Sequence, residues 1–327
     1  MDIAKDIFKC FQSNMETFPD FTVIVSDFQF NCHRFVLSSC SGFFEALMRT
    51  DMKEKAESIC TLKDISPETF GLILDVLYKG KNVLNKENML ELWKAANQLQ
   101  INLLITACKK CVKKNITIEN CINVLKTAEL LQSLSVIAKV KNVMVTSYFD
   151  LVYSDNFKQV SLDELVEILQ NDQLKVCPDF CVTSVMMWAS AEDYSHLPPI
   201  KSIDEFCQRK WTQNSTYNYI KDSGSATYRR SRLDKLLSVI QLQWASKECL
   251  SMLMSNEFII GNKNAIYLVN RIAAARLDGV DEVKQPHRVG MSYKKCQHCS
   301  TKHNGYTDAF YGYSTYECND SEWLLIN

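Results

Sequence analysis

The chain has 327 residues, 46% hydrophobic and 23% charged, with a formal net charge of -1 at pH 7. That balance fits a soluble globular protein with a sizeable core and argues against a general electrostatic grip on nucleic acid or an anionic membrane, which needs a basic field. The length allows two domains, and with only 9 glycines and 6 prolines long flexible linkers are not expected.

Residues 2–16 place Ile3, Ile7, Phe8 and Phe11 at helical spacing. The amphipathic helix this predicts can cover its own domain or pack on a neighbouring chain. Asp2, Lys5, Asp6 and Lys9 interrupt it, which is unlike a secretory leader. No stretch approaches the ~18 uncharged apolar residues of a membrane span. The 14 cysteines are scattered, and most read as buried free thiols of an intracellular chain. The triplets Asn115-Ile116-Thr117, Asn214-Ser215-Thr216 and Asn319-Asp320-Ser321 match glycosylation sequons and, without a secretory route, read as chance matches.

The rest of the chain is organised around residues 18–48. Phe21, Val23 and Val25 alternate with Thr22, Ile24 and Ser26 as in a strand, Asp27 gives a short turn, and Phe28 to Cys32 reads as a second strand pairing back on the first. The period then changes to helical: Phe35, Val36, Phe43, Phe44, Leu47 and Met48 predict two short helices around Gly42. Ser58 to Leu62 is a third strand candidate. Ser66 stands at an N-cap position with Pro67 at N1, Phe70, Ile73, Leu74, Leu77 and Tyr78 form a buried face, and Gly80 suits the C-terminal cap. Leu90, Trp93, Leu99, Leu103, Leu104 and Ala107 predict two further helices.

These residues carry a family resemblance. Asp20-Phe21-Thr22-Val23, His33-Arg34-Phe35-Val36-Leu37 and Ser41-Gly42-Phe43-Phe44 resemble the opening of a BTB (POZ) domain, with Phe21 for the usual Val and Cys32 for the usual Ala. Residues 61–111 resemble the remainder, including Asp75-Val76-Leu77-Tyr78-Lys79-Gly80 and Ala95-Ala96-x-Gln98-Leu99-Gln100. The resemblance implies an α+β fold and a homodimer. In such a dimer the helix carrying Ile3, Ile7, Phe8 and Phe11 belongs to a swapped interface, and Asp20 and Arg34 lie together at the interface pocket. Met52-Lys53-Glu54 resembles the hydrophobic-x-Glu motif by which cullin-binding members hold the cullin-3 scaffold, and Tyr78 stands where the family has an aromatic on the same surface. Read bottom-up, Met52 is an adaptable apolar knob, Glu54 a helix cap or polar contact, Tyr78 a core-edge tyrosine and His33 a satisfied imidazole, with no local acid or nucleophile to make it a base.

After the basic run Lys109-Lys110-Cys111-Val112-Lys113-Lys114 the pattern is almost wholly helical. Thr117 is placed to cap a helix with Cys121, Val124, Leu125, Ala128 and Leu131; Val136, Val140, Val143, Met144 and Phe149 form the next face. Ser161-Leu162-Asp163-Glu164 is a capping-box pattern, Pro178 starts a helix through Val182, Val185, Met186 and Trp188, and Ser246 caps another after the Leu233, Leu236, Leu237, Ile240 stripe. Such a series suggests stacked helical hairpins. Glu119-Asn120-Cys121 to Glu129-Leu130, Phe157-x-x-Val160-x-Leu162-x-x-Leu165, Trp188-Ala189 and Arg232-Leu233-x-x-Leu236-Leu237 to Asn256-Glu257-Phe258-Ile259 resemble the BACK domain of Kelch-like proteins, in which the helices over 119–149 meet the cullin. The expected division is a BTB domain over 1–114, an all-α BACK domain over 115–277 and a tail over 278–327. Residues 194–230, polar and irregular, read as an insert, and Tyr228-Arg229-Arg230-Ser231 within it as a solvated basic face.

In Kelch-like proteins a β-propeller follows, built from several blades of ~40–50 residues. The last 50 residues hold at most one blade, and Tyr316 to Trp323 resembles the end of a Kelch repeat without its glycine pair, so the tail reads as a remnant. Cys296-x-x-Cys299 with His298, His303 and Cys318 is a weak zinc candidate, set against free residues of a tail. No phosphate loop, nucleophile elbow or His-Glu-x-x-His motif is present, so neither enzymatic activity nor a cofactor is expected. The expected role is an intracellular adaptor, cytoplasmic and also nuclear, bridging cullin-3 to an unnamed substrate protein, alone or with other BTB-Kelch proteins. The alternative is a homo-oligomeric scaffold, cytoskeletal or transcriptional, or a competitor of full-length relatives.

Overall fold

The computed structural model describes residues 18–49, 56–190 and 228–277, with two short strands beyond them. It divides into two compact units, Met1–Val140 and Lys141–Asn327.

The first unit begins with the expected hairpin. β1 (Phe21–Val25) pairs antiparallel with β2 (Phe28–Cys32) through a turn in which Ser26 has φ 52°. β3 (Ile59–Leu62) joins the other side of β1 in parallel, giving the order β2-β1-β3. The two-residue period buries Phe21, Val23 and Val25 and leaves Thr22 and Ile24 half-buried on the opposite face. α1 (Arg34–Cys40) and α2 (Gly42–Arg49) follow. Between them Ser41 is buried; its hydroxyl donates to the Leu99 carbonyl at 2.5 Å and accepts from the Phe44 N–H at 3.2 Å. Gly42 meets the same connection so closely that a Cβ there would lie 2.7 Å from Gln100 Oε1.

α3 (Pro67–Lys79) has the predicted ends: the Ser66 hydroxyl accepts from the Thr69 N–H at 3.1 Å, and Gly80 takes the left-handed cap at φ 60°. α4 (Met89–Gln98) buries Met89, Leu92, Trp93 and Ala96, whereas Leu90 is only half-buried. α5 (Asn102–Lys114) departs further from expectation. Its core stripe is Leu104, Cys108 and Val112, and Leu103 and Ala107 face solvent. Ile101, buried just before the helix, sets the stripe one position later than the leucines suggest. α6 (Cys121–Leu130) and α7 (Leu134–Thr146) come next, the division between units falling within α7. Thr117 is not the cap of α6. Its N–H donates to Asn120 Oδ1 at 2.9 Å, and the helix starts only after Asn120.

The second unit is helical over its described residues apart from the tail strands: α8 (Tyr148–Val152), α9 (Leu162–Leu169), α10 (Pro178–Ser190), α11 (Leu233–Val239), α12 (Lys247–Ser255), α13 (Glu257–Ile260) and α14 (Lys263–Leu277). The capping box on α9 is formed in both directions, Ser161 N–H to Glu164 Oε2 at 2.6 Å and Glu164 N–H to Ser161 Oγ at 3.3 Å. α10 is buried almost all round, as a central helix must be. Asp179 in its first turn accepts the Ser246 N–H at 2.8 Å, which ties α10 to the start of α12. Tyr148 and Ser184 share a buried hydrogen bond of 2.6 Å. α14 has Ala265, Val269 and Ile272 buried along one face and was not among the predicted helices. Residues 228–230, expected inside the irregular insert, form a helical turn.

Beyond α14, β4 (Tyr293–Lys294) and β5 (Leu325–Ile326) pair antiparallel. No described helix is long and apolar enough to cross a membrane.

Candidate interaction surfaces

Asp20 and Arg34 are brought together by the hairpin and the start of α1. Asp20 Oδ1 accepts the Arg34 N–H at 2.8 Å, satisfying one of the backbone donors left open at a helix start. In return Arg34 Nε donates to the Asp20 carbonyl at 3.2 Å, and Arg34 Nη2 donates to the Ser58 hydroxyl at 2.6 Å. The guanidinium lies 5.3 Å from the centre of the Phe21 ring. This knot ties the first strand, the first helix and the residue before β3. Asp20→Ala should cost about 0.5–2 kcal/mol, and Asp20→Asn, which keeps an acceptor, much less. Urea denaturation of the two variants measures this; equal losses would mean that charge rather than hydrogen bonding holds the site.

Phe18 and Phe35 flank this corner, and both are exposed. Phe35 was expected on the apolar helix face, but Leu37 fills the core position of the seven-residue α1 and leaves Phe35 outside. Solvent-facing phenylalanines beside a polar knot are the composition of an interaction patch.

Tyr78 is 3% exposed. Its hydroxyl accepts the His33 N–H at 2.8 Å and lies 3.2 Å from His33 Nδ1. The hydroxyl and the imidazole therefore share a hydrogen bond in addition to the one from the backbone. Burial pushes the phenol up to about 12, so it remains a neutral donor. Tyr78 therefore underpins the surface around His33 from below. Burial likewise pushes the Cys32 and Cys108 thiols up to about 12, which keeps them from becoming reactive thiolates.

A second patch lies where α6 turns into α7. Leu130 is 71% exposed and Leu134 79% exposed, with Gln132 between them at φ 50°. The helical spacing predicts Leu131 on the core face, where it is half-buried, and assigns Leu130 and Leu134 no surface role. The signal was there in Leu130-Leu131-Gln132-Ser133-Leu134, more leucines than one tight turn can bury.

Tyr228-Arg229-Arg230-Ser231 is not the solvated basic face expected, since Arg229 and Arg230 are half-buried. Arg229 donates to the carbonyls of Trp188 at 3.0 Å and Lys158 at 2.7 Å, and lies 4.8 Å from the Trp188 ring centre. It is a structural clamp, because a planar fork of donors can satisfy two carbonyls while stacking on an indole.

Ile3, Ile7, Phe8 and Phe11, the Met52–Glu54 loop, and Cys296, Cys299, His303 and Cys318 lie outside the described residues. Among the described residues, no group of three or more His, Cys, Asp or Glu is placed to hold a metal ion.

Known families and proteins match this sequence. Residues 10–116 match the family model of the BTB/POZ domain, and residues 121–201 match that of BACK, "BTB And C-terminal Kelch". The chain thus carries a BTB domain followed by a BACK domain. It is similar to Kelch-like protein 40 of Xenopus laevis, with 29% identity over 195 residues, covering 58% of this chain and 32% of the relative. Human Kelch-like protein 6 is 30% identical over 161 residues, covering 49% of this chain and 26% of the relative. The chain thus spans about a third or less of the length of these curated relatives. Among solved structures, the BTB domain of zebrafish PATZ1 is similar at 25% identity and a TM-score of 0.31, over 34% of this chain and 92% of that one.

Proposed function

We propose that this chain is a non-enzymatic adaptor of the cytoplasm, and also of the nucleus, that homodimerises through residues 1–114 and docks a cullin-3 scaffold. The BTB and BACK matches and the Kelch-like relatives support the general class. The observation that carries the docking reading is the exposed leucine pair Leu130 and Leu134 in the helical region directly after the BTB domain. Apolar side chains held out on a rigid helical turn suit a partner that supplies an apolar counterface. Phe18 and Phe35, beside Asp20 and Arg34, are the counterpart for the dimer. Met52 and Glu54 would complete the cullin surface, with Tyr78 holding His33 in place beneath it. The helices over 115–277 and the tail over 278–327 would carry the substrate protein or a BTB-Kelch partner. The ligase chemistry then belongs to other subunits, and this chain contributes proximity and orientation.

Calorimetric titration of the full chain with the N-terminal part of cullin-3 tests this. A Kd below about 1 µM, roughly -8 kcal/mol, is expected. The Met52→Ala, Glu54→Ala double variant should bind at least about tenfold more weakly, a loss of about 1.4 kcal/mol. No binding by a folded, dimeric sample would favour the scaffold reading instead.

A further inference from the structure

The turn from Tyr228 to Arg232 joins several parts of the second unit. Arg229 holds the Trp188 and Lys158 carbonyls. Arg230 lies 3.8 Å from the centre of the Phe258 ring, and its carbonyl accepts from Asn262 Nδ2 at 3.3 Å. Arg232 lies 5.4 Å from the centre of the Tyr228 ring. Between these arginines the Ser231 hydroxyl donates to the Tyr228 carbonyl at 2.7 Å. Ser231 and Arg232 are both exposed. An accessible hydroxyl therefore stands with arginines one and two residues before it and one residue after it, while Arg232 and Ser231 converge on the same tyrosine.

We propose that Ser231 is a phosphoacceptor for a serine/threonine kinase that reads basic flanks, and that the phosphate draws Arg229 away from its two carbonyls. In the transfer, Ser231 Oγ bonds to the γ-phosphorus of ATP, the bond from that phosphorus to the bridging oxygen breaks, ADP leaves, and the hydroxyl proton passes to the kinase. The product oxygen has no proton, so the Tyr228 carbonyl loses its donor. The new group carries a charge of about -1.5 to -2 at neutral pH. A phosphate adds full opposite charge and a bidentate fit to an arginine, neither of which a neutral carbonyl offers. Arg229, two residues away and holding two neutral carbonyls, is thereby offered a stronger acceptor, with Arg232 on the other side of the phosphate. Losing Arg229 from the Lys158 and Trp188 carbonyls unties the end of α10 from the segment that leads into α11.

The test treats the full chain with ATP and a purified arginine-directed serine/threonine kinase, and maps phosphate by mass spectrometry. A peptide spanning residues 225–237 is run alongside. Phosphate is expected on Ser231 in both, and Ser231→Ala should lack it. The phosphorylated chain should melt about 2–4 °C lower, the shift a loss near 1 kcal/mol gives at this size. Arg229→Met should melt lower without modification and show no further drop on phosphorylation. Failure of the peptide to be labelled would overturn the proposed recognition, and labelling of the peptide but not of the folded chain would overturn the site. A phosphorylated chain that melts like the unmodified one, or an Arg229→Met variant that drops further, would overturn the release of Arg229.

Discussion

Trp188→Ala is expected to destabilise the second unit by about 3–5 kcal/mol, the range for removing a buried tryptophan. Three losses combine there. The indole is 2% exposed, so its removal leaves a cavity on the most enclosed helix of the unit. Its Nε1 donates to the Val160 carbonyl at 2.8 Å, and that buried acceptor would be stranded. Its ring is also the surface on which Arg229 stacks. Trp188→Phe separates these contributions, because it keeps most of the packing and strands only the carbonyl, at about 1–3 kcal/mol. Trp93 is the internal control. It is also fully buried, but its Nε1 has no hydrogen-bond partner among the described residues, so Trp93→Phe should cost less than Trp188→Phe. Chemical denaturation, with both units followed by tryptophan fluorescence and far-ultraviolet dichroism, measures all three. A loss below about 1 kcal/mol for Trp188→Ala would remove α10 from the centre of the unit's stability.

The second large effect is on binding. Leu130→Asp combined with Leu134→Asp should weaken the proposed cullin-3 interaction at least about 100-fold, equivalent to about 2.7 kcal/mol. Apolar anchors at the centre of an interface each contribute on the order of 2 kcal/mol or more when they are removed, and a carboxylate adds a desolvation cost. Both side chains are exposed in the free chain, so the melting temperature should hardly change: surface substitutions of this kind stay within about 0.5 kcal/mol. Unchanged titration with folded double variant would take this turn out of the interface, even if the Met52 and Glu54 result stood. Reduced binding with a lowered melting temperature would instead mean that the leucines pack within the unit.

Much of the local structure was legible because its causes are local. The alternation of Phe21, Val23 and Val25 marks a half-buried strand whatever surrounds it, and Ser26-Asp27 closes it onto β2 within two residues. Ser66 with Pro67, Gly80, and the Ser161–Glu164 box satisfy open backbone donors and acceptors from a few residues away, so spacing suffices to place those helix ends. The BTB and BACK resemblances rest on this kind of order and gap, and the family models match residues 10–116 and 121–201, the second covering the first part of the stretch read as BACK.

What remained hidden depends on which face meets which neighbour. Leu103 and Leu104 are chemically the same, and only the burial of Ile101 decides that Leu104 goes inward. Phe35 is as apolar as Phe44, yet Phe44 packs on Phe21 while α1 turns Phe35 out. Arg229 looked like a solvated charge because the carbonyls it serves belong to residues 158 and 188, far away in the chain. By itself, then, the order of residues determined most of the elements, the helix ends with local caps and the two domain resemblances, since short-range hydrogen bonding and periodicity carry that information. The choice of inward face, the exposed leucines of the α6–α7 turn and the arginine clamp were decided only in the tertiary structure, because each is a contest between side chains of equal local propensity that long-range packing resolves.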